Sequence, residues 1–270
     1  MSKSNIEWTE STWNPVTGCT KVSPGCQNCY AESLVKRLQG MGQYNYRNGF
    51  RATEQPHMLD VPLNTHKPTT FFVNSMSDLF HRDFSIEYIK RVFDVIVQCP
   101  QHQFQILTKR SERLVELASE LDWSHNIWQG VSVESPDYYF RISDLVNSNA
   151  KLKWLSLEPL LAPLPNIPLK GIDWVVVGGE TTLSKAGLRP IDPDWVRSIR
   201  DQCVNAEVPF FFKQWGGVNA RKKANGRLLD GRTWDEYPDA LVAKLNRSFI
   251  ADYLKSSETN PFNTRLTVSL

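Results

Sequence analysis

The chain has 270 residues, 41% of them hydrophobic, so it is long enough to bury the core of one large domain. Its 31 basic and 29 acidic residues give a formal net charge of +2, which neither indicates nor excludes a nucleic-acid partner. The N-terminal segment lacks the apolar core of a signal peptide, and no apolar run is long enough to span a bilayer. These features predict a cytoplasmic protein without a membrane partner, in which an odd count of five cysteines fits disulfides poorly.

The predicted elements begin with a short strand close to the N-terminus, and a loop that contains three cysteines follows this strand. Cys19, Cys26 and Cys29 are spaced C-x6-C-x2-C, a density that is unusual for such a rare residue. The other two cysteines, Cys99 and Cys203, each stand alone on a predicted helix, where a cysteine is most simply a small core residue. The clustered three are therefore the candidate metal ligands.

Apolar runs rich in β-branched and aromatic residues recur along the chain, and they are typical of strands that are covered on both faces. These runs lie at 69–78, 102–110, 126–135, 152–161, 173–180 and 209–217. Helical periodicity between them predicts helices at 85–99, 111–121 and 192–206. The repeated strand–helix–strand pattern predicts an α/β fold with a complete or partial (β/α) TIM-like barrel, and an open doubly wound sheet is the alternative.

The C-terminal part of the sequence has a different pattern. Asn225-Gly226 and Asp230-Gly231 are turn signals that predict a small hairpin, and a terminal helix is predicted at 239–255. We therefore expect a barrel domain over residues 1–215. A hairpin, a helix and a tail over residues 216–270 are expected to pack on that barrel.

Polar or charged side chains end the apolar run of each predicted strand. In a barrel the carboxyl ends of the strands meet at one face, where barrel enzymes carry out their chemistry. The cysteine loop follows the first strand, so it is expected at the same face. The polar strand-end residues are Ser75, Ser77, Asp78, Lys109, Arg110, Ser132, Glu134, Glu158, Glu180, Lys213 and Gln214.

Three interpretations of the clustered cysteines compete. They could be ordinary buried cysteines, or half of a structural zinc site that a histidine such as His57, His66 or His81 completes. The third interpretation is a [4Fe–4S] cluster with three protein ligands, whose open iron coordinates a substrate or cofactor. The rarity of cysteine argues against the first interpretation and the missing fourth ligand argues against zinc, so the sequence favours the cluster.

Three cysteines in a loop after the first strand of such a barrel resemble the radical S-adenosylmethionine (SAM) superfamily, although the usual superfamily spacing is C-x3-C-x2-C. More closely, the sequence resembles the phage-associated three-cysteine family of Gp37/Gp68-like proteins, which is similar to radical SAM proteins of the spore-photoproduct-lyase type. The motifs that carry this resemblance lie at 14–32, 72–81, 104–110, 130–134, 155–161, 173–180 and 209–216.

The resemblance implies an iron–sulfur enzyme in which Cys19, Cys26 and Cys29 ligate three irons and SAM binds the fourth. One electron from a reductant such as flavodoxin or ferredoxin would cleave SAM reductively and give a 5′-deoxyadenosyl radical. The contacts to SAM that the resemblance implies are Ser75, Ser77, Asp78, Lys109, Ser132 and Glu134. Tyr30, directly after the third cysteine, could pack on the adenine of SAM or merely cover the cluster.

Four residues of the later strands, Glu158, Glu180, Lys213 and Gln214, are the candidates for catalytic contact with the substrate. Glu158 and Lys213 could instead form a buried ion pair across the barrel mouth, because buried charges must be paired. The resemblance implies modification or repair of a nucleic acid, a nucleotide or a modified base. A non-catalytic iron–sulfur or zinc protein, acting as a redox sensor or partner-docking module in a phage or defence operon, is the alternative.

Overall fold

The computed structural model describes residues 4, 6–182, 187–218 and 226–238. The chain divides into two compact units, Met1–Tyr237 and Pro238–Leu270. The predicted terminal helix at 239–255 and the predicted turn residue Asn225 lie outside the described residues. Within those residues, no helix is both long enough and apolar enough to cross a membrane.

Seven parallel strands form one sheet, and each strand pairs with the next strand of the set in chain order. A doubly wound sheet would reverse its strand order at a switch point, which this sheet does not do. The first and last strands do not pair with each other in the described part of the chain, so the fold is a partial (β/α) barrel. The strands are β1 Ser11–Trp13, β2 Thr70–Val73, β3 Gln103–Thr108, β4 Ile127–Ser132, β5 Leu152–Leu157, β6 Trp174–Gly178 and β7 Phe210–Gln214.

Helices connect the strands and cover the outer face of the sheet. Ser85 caps the helix Ile86–Val97 by accepting a hydrogen bond from the Tyr88 N–H, and Asp192 caps the helix Pro193–Asn205 by accepting one from the Asp194 N–H. The described helices are α1 Tyr30–Gly40, α2 Asp60–Leu63, α3 Ile86–Val97, α4 Ser111–Leu117, α5 Phe140–Asn147 and α6 Pro193–Asn205. Single 3₁₀ turns occur at Pro24–Cys26, Tyr44–Tyr46, Pro56–Met58, Ala118–Glu120 and Pro136–Tyr138.

Two pairs of very short strands lie outside the main sheet. Val16–Thr17 pairs antiparallel with Thr53–Glu54, and Thr181–Thr182 pairs parallel with Gly217–Val218. The first pair stands directly before the cysteine loop and the second directly after β6 and β7. Both pairs therefore extend the carboxyl end of the barrel, where the loops carry the candidate site.

The concave face of the sheet is filled by aromatic side chains. The ring of Trp8 lies 4.8 Å from that of Phe72 on β2 and 6.2 Å from that of Trp174 on β6. These strands are four spacings apart, about 19 Å in a flat sheet. The sheet therefore curls around Trp8. Gly130 permits this packing, because a Cβ atom there would lie 2.4 Å from the indole of Trp154.

The predicted turn at Asp230-Gly231 is present. Both residues have positive φ, +54° and +82°, and Leu229 forms an antiparallel bridge with Arg232 across them. Asp235 then forms an antiparallel bridge with Phe211, so this segment lies beside β7.

Candidate functional site

The cysteine loop lies at the carboxyl ends of the strands, as its position after β1 predicts. Gly18 donates its N–H to the Met76 carbonyl at 3.0 Å, and Cys19 donates its N–H to the Phe50 carbonyl at 3.1 Å. Gly18 has φ +80°, and a Cβ atom there would lie 2.2 Å from the Arg51 carbonyl oxygen. The start of the loop is therefore packed tightly between the segment after β2 and residues 50–51.

All three loop cysteines are free thiols of intermediate exposure. Cys19 Sγ lies 3.8 Å from Arg110 Nη2, and Cys26 Sγ lies 3.7 Å from Ser23 Oγ. Burial raises the pKa of the Cys19 thiol to about 11; Asp78 adds to this and Arg110 opposes it. Without a metal this thiol is therefore protonated, and metal binding would release its proton.

The thiols do not form a site for a single ion. Among the described residues, no group of three Cys, His, Asp or Glu side chains is placed to hold one metal ion. The Nε2 atoms of His57 and His81 contact Asn45 Oδ1 at 2.8 Å and Thr20 Oγ1 at 2.9 Å respectively. A zinc ion needs its ligands at about 2.3 Å from one centre, whereas a cluster places each thiolate on a different iron. The donor set, three thiols on one loop, therefore fits a cluster better than zinc.

Glu134 is fully buried and holds the middle of the cysteine loop. It accepts hydrogen bonds from Ser23 Oγ at 2.7 Å, Lys109 Nζ at 2.8 Å and Arg141 Nη1 at 2.9 Å. A Cβ atom on Gly25 would lie 2.3 Å from Glu134 Oε1, so the loop backbone is in close contact with the carboxylate. Burial alone would raise the pKa of Glu134, but Lys109 and Arg141 outweigh burial and hold the pKa below its ordinary value.

Glu180, at the end of β6, holds the last part of the same loop. It accepts hydrogen bonds from Asn28 Nδ2 at 3.0 Å and from the backbone N–H and Nε of Arg189, both at 3.1 Å. Asn28 also donates to the Gly187 carbonyl, and Arg189 Nη1 lies 3.4 Å from Gln27 Oε1. Burial would raise the pKa of Glu180, but the hydrogen bonds from Arg189 and Asn28 outweigh it and lower the pKa.

Asp78 joins the ends of β2 and β3. It accepts hydrogen bonds from Thr108 Oγ1 at 2.7 Å and from the Lys109 N–H at 3.1 Å, and it lies 3.8 Å from Arg110 Nε. The other end of Arg110 donates to the carbonyl and hydroxyl of Thr20, both at 2.9 Å. Asp78 therefore orients an arginine that also contacts the first cysteine of the loop.

Ser75 and Ser77 are held in the segment after β2. The Ser75 hydroxyl donates to Asn14 Oδ1 at 3.2 Å, and the Ser77 hydroxyl donates to the Val16 carbonyl at 2.7 Å. Tyr30, the first residue of α1, is half exposed, and its hydroxyl donates to the Ser75 carbonyl at 2.5 Å. Tyr30 thus lies over the β2 end beside the third cysteine.

Glu158 and Lys213 form the ion pair that the sequence offered as an alternative to catalytic roles. Lys213 Nζ lies 2.9 Å and 2.8 Å from the two carboxylate oxygens of Glu158, and both side chains are about four-fifths buried. Lys109 Nζ lies 3.5 Å from the Glu158 carbonyl oxygen, so it reaches the same place. Gln214 instead donates to Thr181 Oγ1 at 3.0 Å, in the short strand pair.

Ser132 ends β4 and is buried, and its carbonyl accepts a hydrogen bond from Arg141 Nη1 at 2.9 Å. One polar side chain after β2 has no protein partner among the described residues. Asn74 follows β2 with φ +61° and is 4% exposed, and neither atom of its amide has a partner. Buried amide groups are almost always hydrogen-bonded, so Asn74 is a group that a polar ligand would satisfy.

A family described as a protein of unknown function (DUF5131) matches residues 3–238. The chain belongs to the DUF5131 family. No curated protein matches the sequence. The relation to phage Gp37/Gp68-like proteins stays a prediction.

The solved structures similar to this DUF5131 protein include forms of spore photoproduct lyase. A variant with bound AdoMet and dinucleoside spore photoproduct has 13% identity and a TM-score of 0.42, over 72% of this chain and 61% of that chain. A complex with dinucleoside spore photoproduct has 12% identity and a TM-score of 0.43, over 74% and 62%. This chain thus spans about three-fifths of the length of these two lyase structures.

The sequence interpretation missed four residues that hold the loop of this DUF5131 protein. Ser23 and Asn28 lie within the loop, and their polar side chains beside cysteines were the available signal. Arg141 and Arg189 follow the strand ends by several residues, and nothing in their local sequence indicates that they turn back to a glutamate.

Proposed function

We propose that this DUF5131 protein is a radical SAM enzyme, in which Cys19, Cys26 and Cys29 hold a [4Fe–4S] cluster whose open iron binds SAM. The observation that carries the proposal is the loop itself: three free, partly exposed thiols at the barrel mouth, with no fourth ligand and no single-ion site among the described residues. When bound, such a cluster would supply one-electron cleavage of SAM to methionine and a 5′-deoxyadenosyl radical. Flavodoxin or ferredoxin is the proposed reductant in the cytoplasm.

The protein's own residues would bind and orient SAM beside the loop. Ser77, Asp78 and Glu134 already hold protein groups, whereas Tyr30 is half exposed. Of the contacts implied for SAM, the ring of Tyr30 is therefore the most available. Asn74 adds a buried amide in the segment after β2, with a donor and an acceptor to offer.

The barrel interior would exclude water from the reaction. Beneath the mouth, the rings of Trp8, Trp154 and Trp174 fill the concave face, with centroids 5.3 Å to 6.2 Å apart. These buried aromatic rings restrict the access of water to the mouth through the barrel interior. The task of the fold is then orientation and exclusion, while the cofactor carries the difficult chemistry.

Lys213 is the proposed proton-holding group of the site. Its ammonium lies at the mouth and is hydrogen-bonded to both carboxylate oxygens of Glu158, which fix its direction. Gln214 and Glu180 lie further out, engaged with Thr181 and Arg189.

The proposed substrate is a nucleic acid, a nucleotide or a modified base. Beside the loop, the exposed ring of Tyr44 carries the Arg47 guanidinium 4.1 Å from its centroid, a pairing suited to a base and a phosphate. Binding of labelled single-stranded DNA or RNA should weaken steeply as the salt concentration rises. An absence of binding at low salt would remove nucleic acid from the proposal.

The first test is the iron and sulfide content of protein purified without oxygen, compared with Cys29→Ala and with Cys99→Ala as the matched control. We expect about four irons and four sulfides in the wild type and in the control, and a loss in Cys29→Ala. SAM and dithionite should then yield 5′-deoxyadenosine. Zinc without sulfide would overturn the proposal, and a cluster that yields no 5′-deoxyadenosine would assign the sensor or docking role.

A further inference from the structure

We propose that Glu134 and Glu180 are positioning residues that hold the cysteine loop in its ligand-binding shape before any iron arrives. The inference rests on the proposed function for the identity of the ligand. The shape of the loop can nevertheless be measured on metal-free protein. The sequence placed these two glutamates as contacts to SAM and substrate, and their bonds indicate a different use.

The two carboxylates bind the loop by hydrogen bonds on either side of Cys26. Glu134 accepts the hydroxyl of Ser23 at 2.7 Å, three residues before that cysteine, and Glu180 accepts the amide of Asn28 at 3.0 Å, two residues after it. The loop is thus tied to the ends of β4 and β6, two strands separated by β5.

Besides its hydrogen bond to Ser23, Glu134 is in close van der Waals contact with the loop backbone at Gly25. Because a Cβ atom on Gly25 would lie 2.3 Å from Glu134 Oε1, only a glycine fits there without displacing the carboxylate. Glu134 is fully buried, and Lys109 and Arg141 fix both of its oxygens. The barrel therefore presents a rigid surface on which the loop rests.

Charge neutralisation makes these carboxylates compatible with nearby thiolates. A bare carboxylate would repel the negative charge of three cysteine thiolates, but Glu134 is paired with two cations and Glu180 with Arg189. Arg110 adds a further positive group 3.8 Å from Cys19 Sγ. The glutamates can therefore act as hydrogen-bond acceptors for the loop without opposing cluster binding.

A loop that is ordered in advance needs less ordering when its ligand binds, and so it binds more readily. Without these two contacts the segment from Thr20 to Asn28 would lose its ties to β4 and β6, and the cluster would have to order more of the segment, at the cost of conformational entropy. The expected consequence is that cysteine accessibility and cluster assembly both depend on the two contacts.

The test changes the loop side of each contact, because Glu134→Gln would leave Lys109 and Arg141 partly unpaired and could unfold the barrel. The variants are Ser23→Ala, Asn28→Ala and their combination. Ser23→Thr keeps the hydroxyl and should restore wild-type behaviour. Ser148→Ala, which removes a buried hydroxyl bonded to the Leu145 carbonyl, is the matched control.

The first readout is the rate at which iodoacetamide alkylates each cysteine in the metal-free protein, followed by mass spectrometry. We expect Cys26 and Cys29 to react at least fivefold faster in the double variant, with the buried Cys99 unchanged as an internal reference. Equal rates in the wild type and the double variant would overturn the inference, and so would a parallel increase at Cys99, which would report general unfolding.

The second readout is iron and sulfide uptake at limiting iron, with the electron paramagnetic resonance signal of the reduced protein. Uptake should fall in the double variant and stay at the wild-type level in Ser23→Thr. If the wild type takes up no iron, the proposed function fails. The difference in alkylation rate between the wild type and the double variant would still support the positioning role. If the wild type binds a cluster and the double variant binds it equally well, the positioning role fails while the proposed function stands.

Discussion

The ammonium of Lys213 bridges both carboxylate oxygens of Glu158, at 2.9 Å and 2.8 Å, and so joins the ends of β5 and β7 across β6. The ion pair passes close to Gly178 at the end of β6. A larger residue would be tight there, because a Cβ atom on Gly178 would lie 3.0 Å from the Glu158 carboxyl carbon. The pair is therefore a fixed part of the barrel mouth as well as its proposed proton-holding group.

Lys213→Met should lower the free energy of unfolding by about 1–2 kcal/mol, less than a fully buried pair would lose, because both side chains retain some exposure. Glu158→Gln should cost a similar amount. The combination should cost less than the sum, since neither charge is then left alone. Urea unfolding followed by tryptophan fluorescence measures all three, and strict additivity would show that the two groups do not interact.

Gly130→Ala should be strongly destabilising. The added methyl group would lie 2.4 Å from the ring of Trp154, which is fully buried and cannot move aside. Overpacking of this kind should cost about 3 kcal/mol. Gly40→Ala is the matched control, because no atom lies within 4 Å of the new Cβ. A cost for Gly130→Ala no larger than that of the control would contradict the packing of the concave face.

The stability of the protein should fall as the pH drops below about 6.5, the ordinary pKa of histidine. Burial lowers the pKa of His102, whose Nδ1 accepts the Thr69 N–H at 3.1 Å while Nε2 lies 2.9 Å from the Thr65 carbonyl. Only the neutral ring can make both contacts. The contribution of the neutral His102 ring to the free energy of unfolding is therefore complete above the unfolded-state pKa of the ring. It is lost as the pH falls towards the lower folded-state pKa.

The measurement compares unfolding free energies at pH 7.5 and 5.5, above the range in which Glu134 and Glu180 take up protons. Each unit by which the folded-state pKa is lowered is worth about 1.4 kcal/mol. His102→Gln should flatten the pH dependence in part, because burial also lowers the pKa of His81. The exposed His57 serves as the control position, and His57→Gln is measured at the same two pH values.

Arg110→Gln should make the proposed cluster harder to reduce. The guanidinium lies 3.8 Å from Cys19 Sγ, and a nearby positive charge favours the reduced state. For one charge about 8 Å from the added electron at an effective dielectric constant near 20, the potential should fall by roughly 50–100 mV. Arg110→Lys retains the positive charge, so its reduction potential should fall less. Redox titration by electron paramagnetic resonance measures both, and an unchanged potential in Arg110→Gln would contradict the prediction.

The fold could be predicted from sequence because it depends on local patterns. Continuous apolar runs predicted the strands of a parallel sheet, and helical periodicity at 192–206 predicted α6, which Asp192 caps. Ser111, the first residue of the helix predicted at 111–121, is the first residue of α4, and its hydroxyl donates to Asp144 Oδ2 at 2.5 Å. That bond joins residues 33 apart, so it has no local signature.

The site was predicted less completely for the same reason. Sequence placed the cysteine loop and the polar strand ends at one face, and the structure brings them together there. It did not indicate that Glu134 would turn towards Ser23, 111 residues away, or that Glu180 would meet Asn28, 152 residues away. Which of several strand-end carboxylates faces a loop depends on the curvature of the whole sheet, which no short pattern encodes.

The position of Trp8 also has a consequence for the order in which the molecule is made. Trp8 is synthesised 174 − 8 = 166 residues before its partner Trp174. Neighbouring strands can pair as they emerge, because each follows its partner in the chain. Trp8 can meet Phe72 once β2 has been made, but the aromatic centre is complete only when β6 has followed.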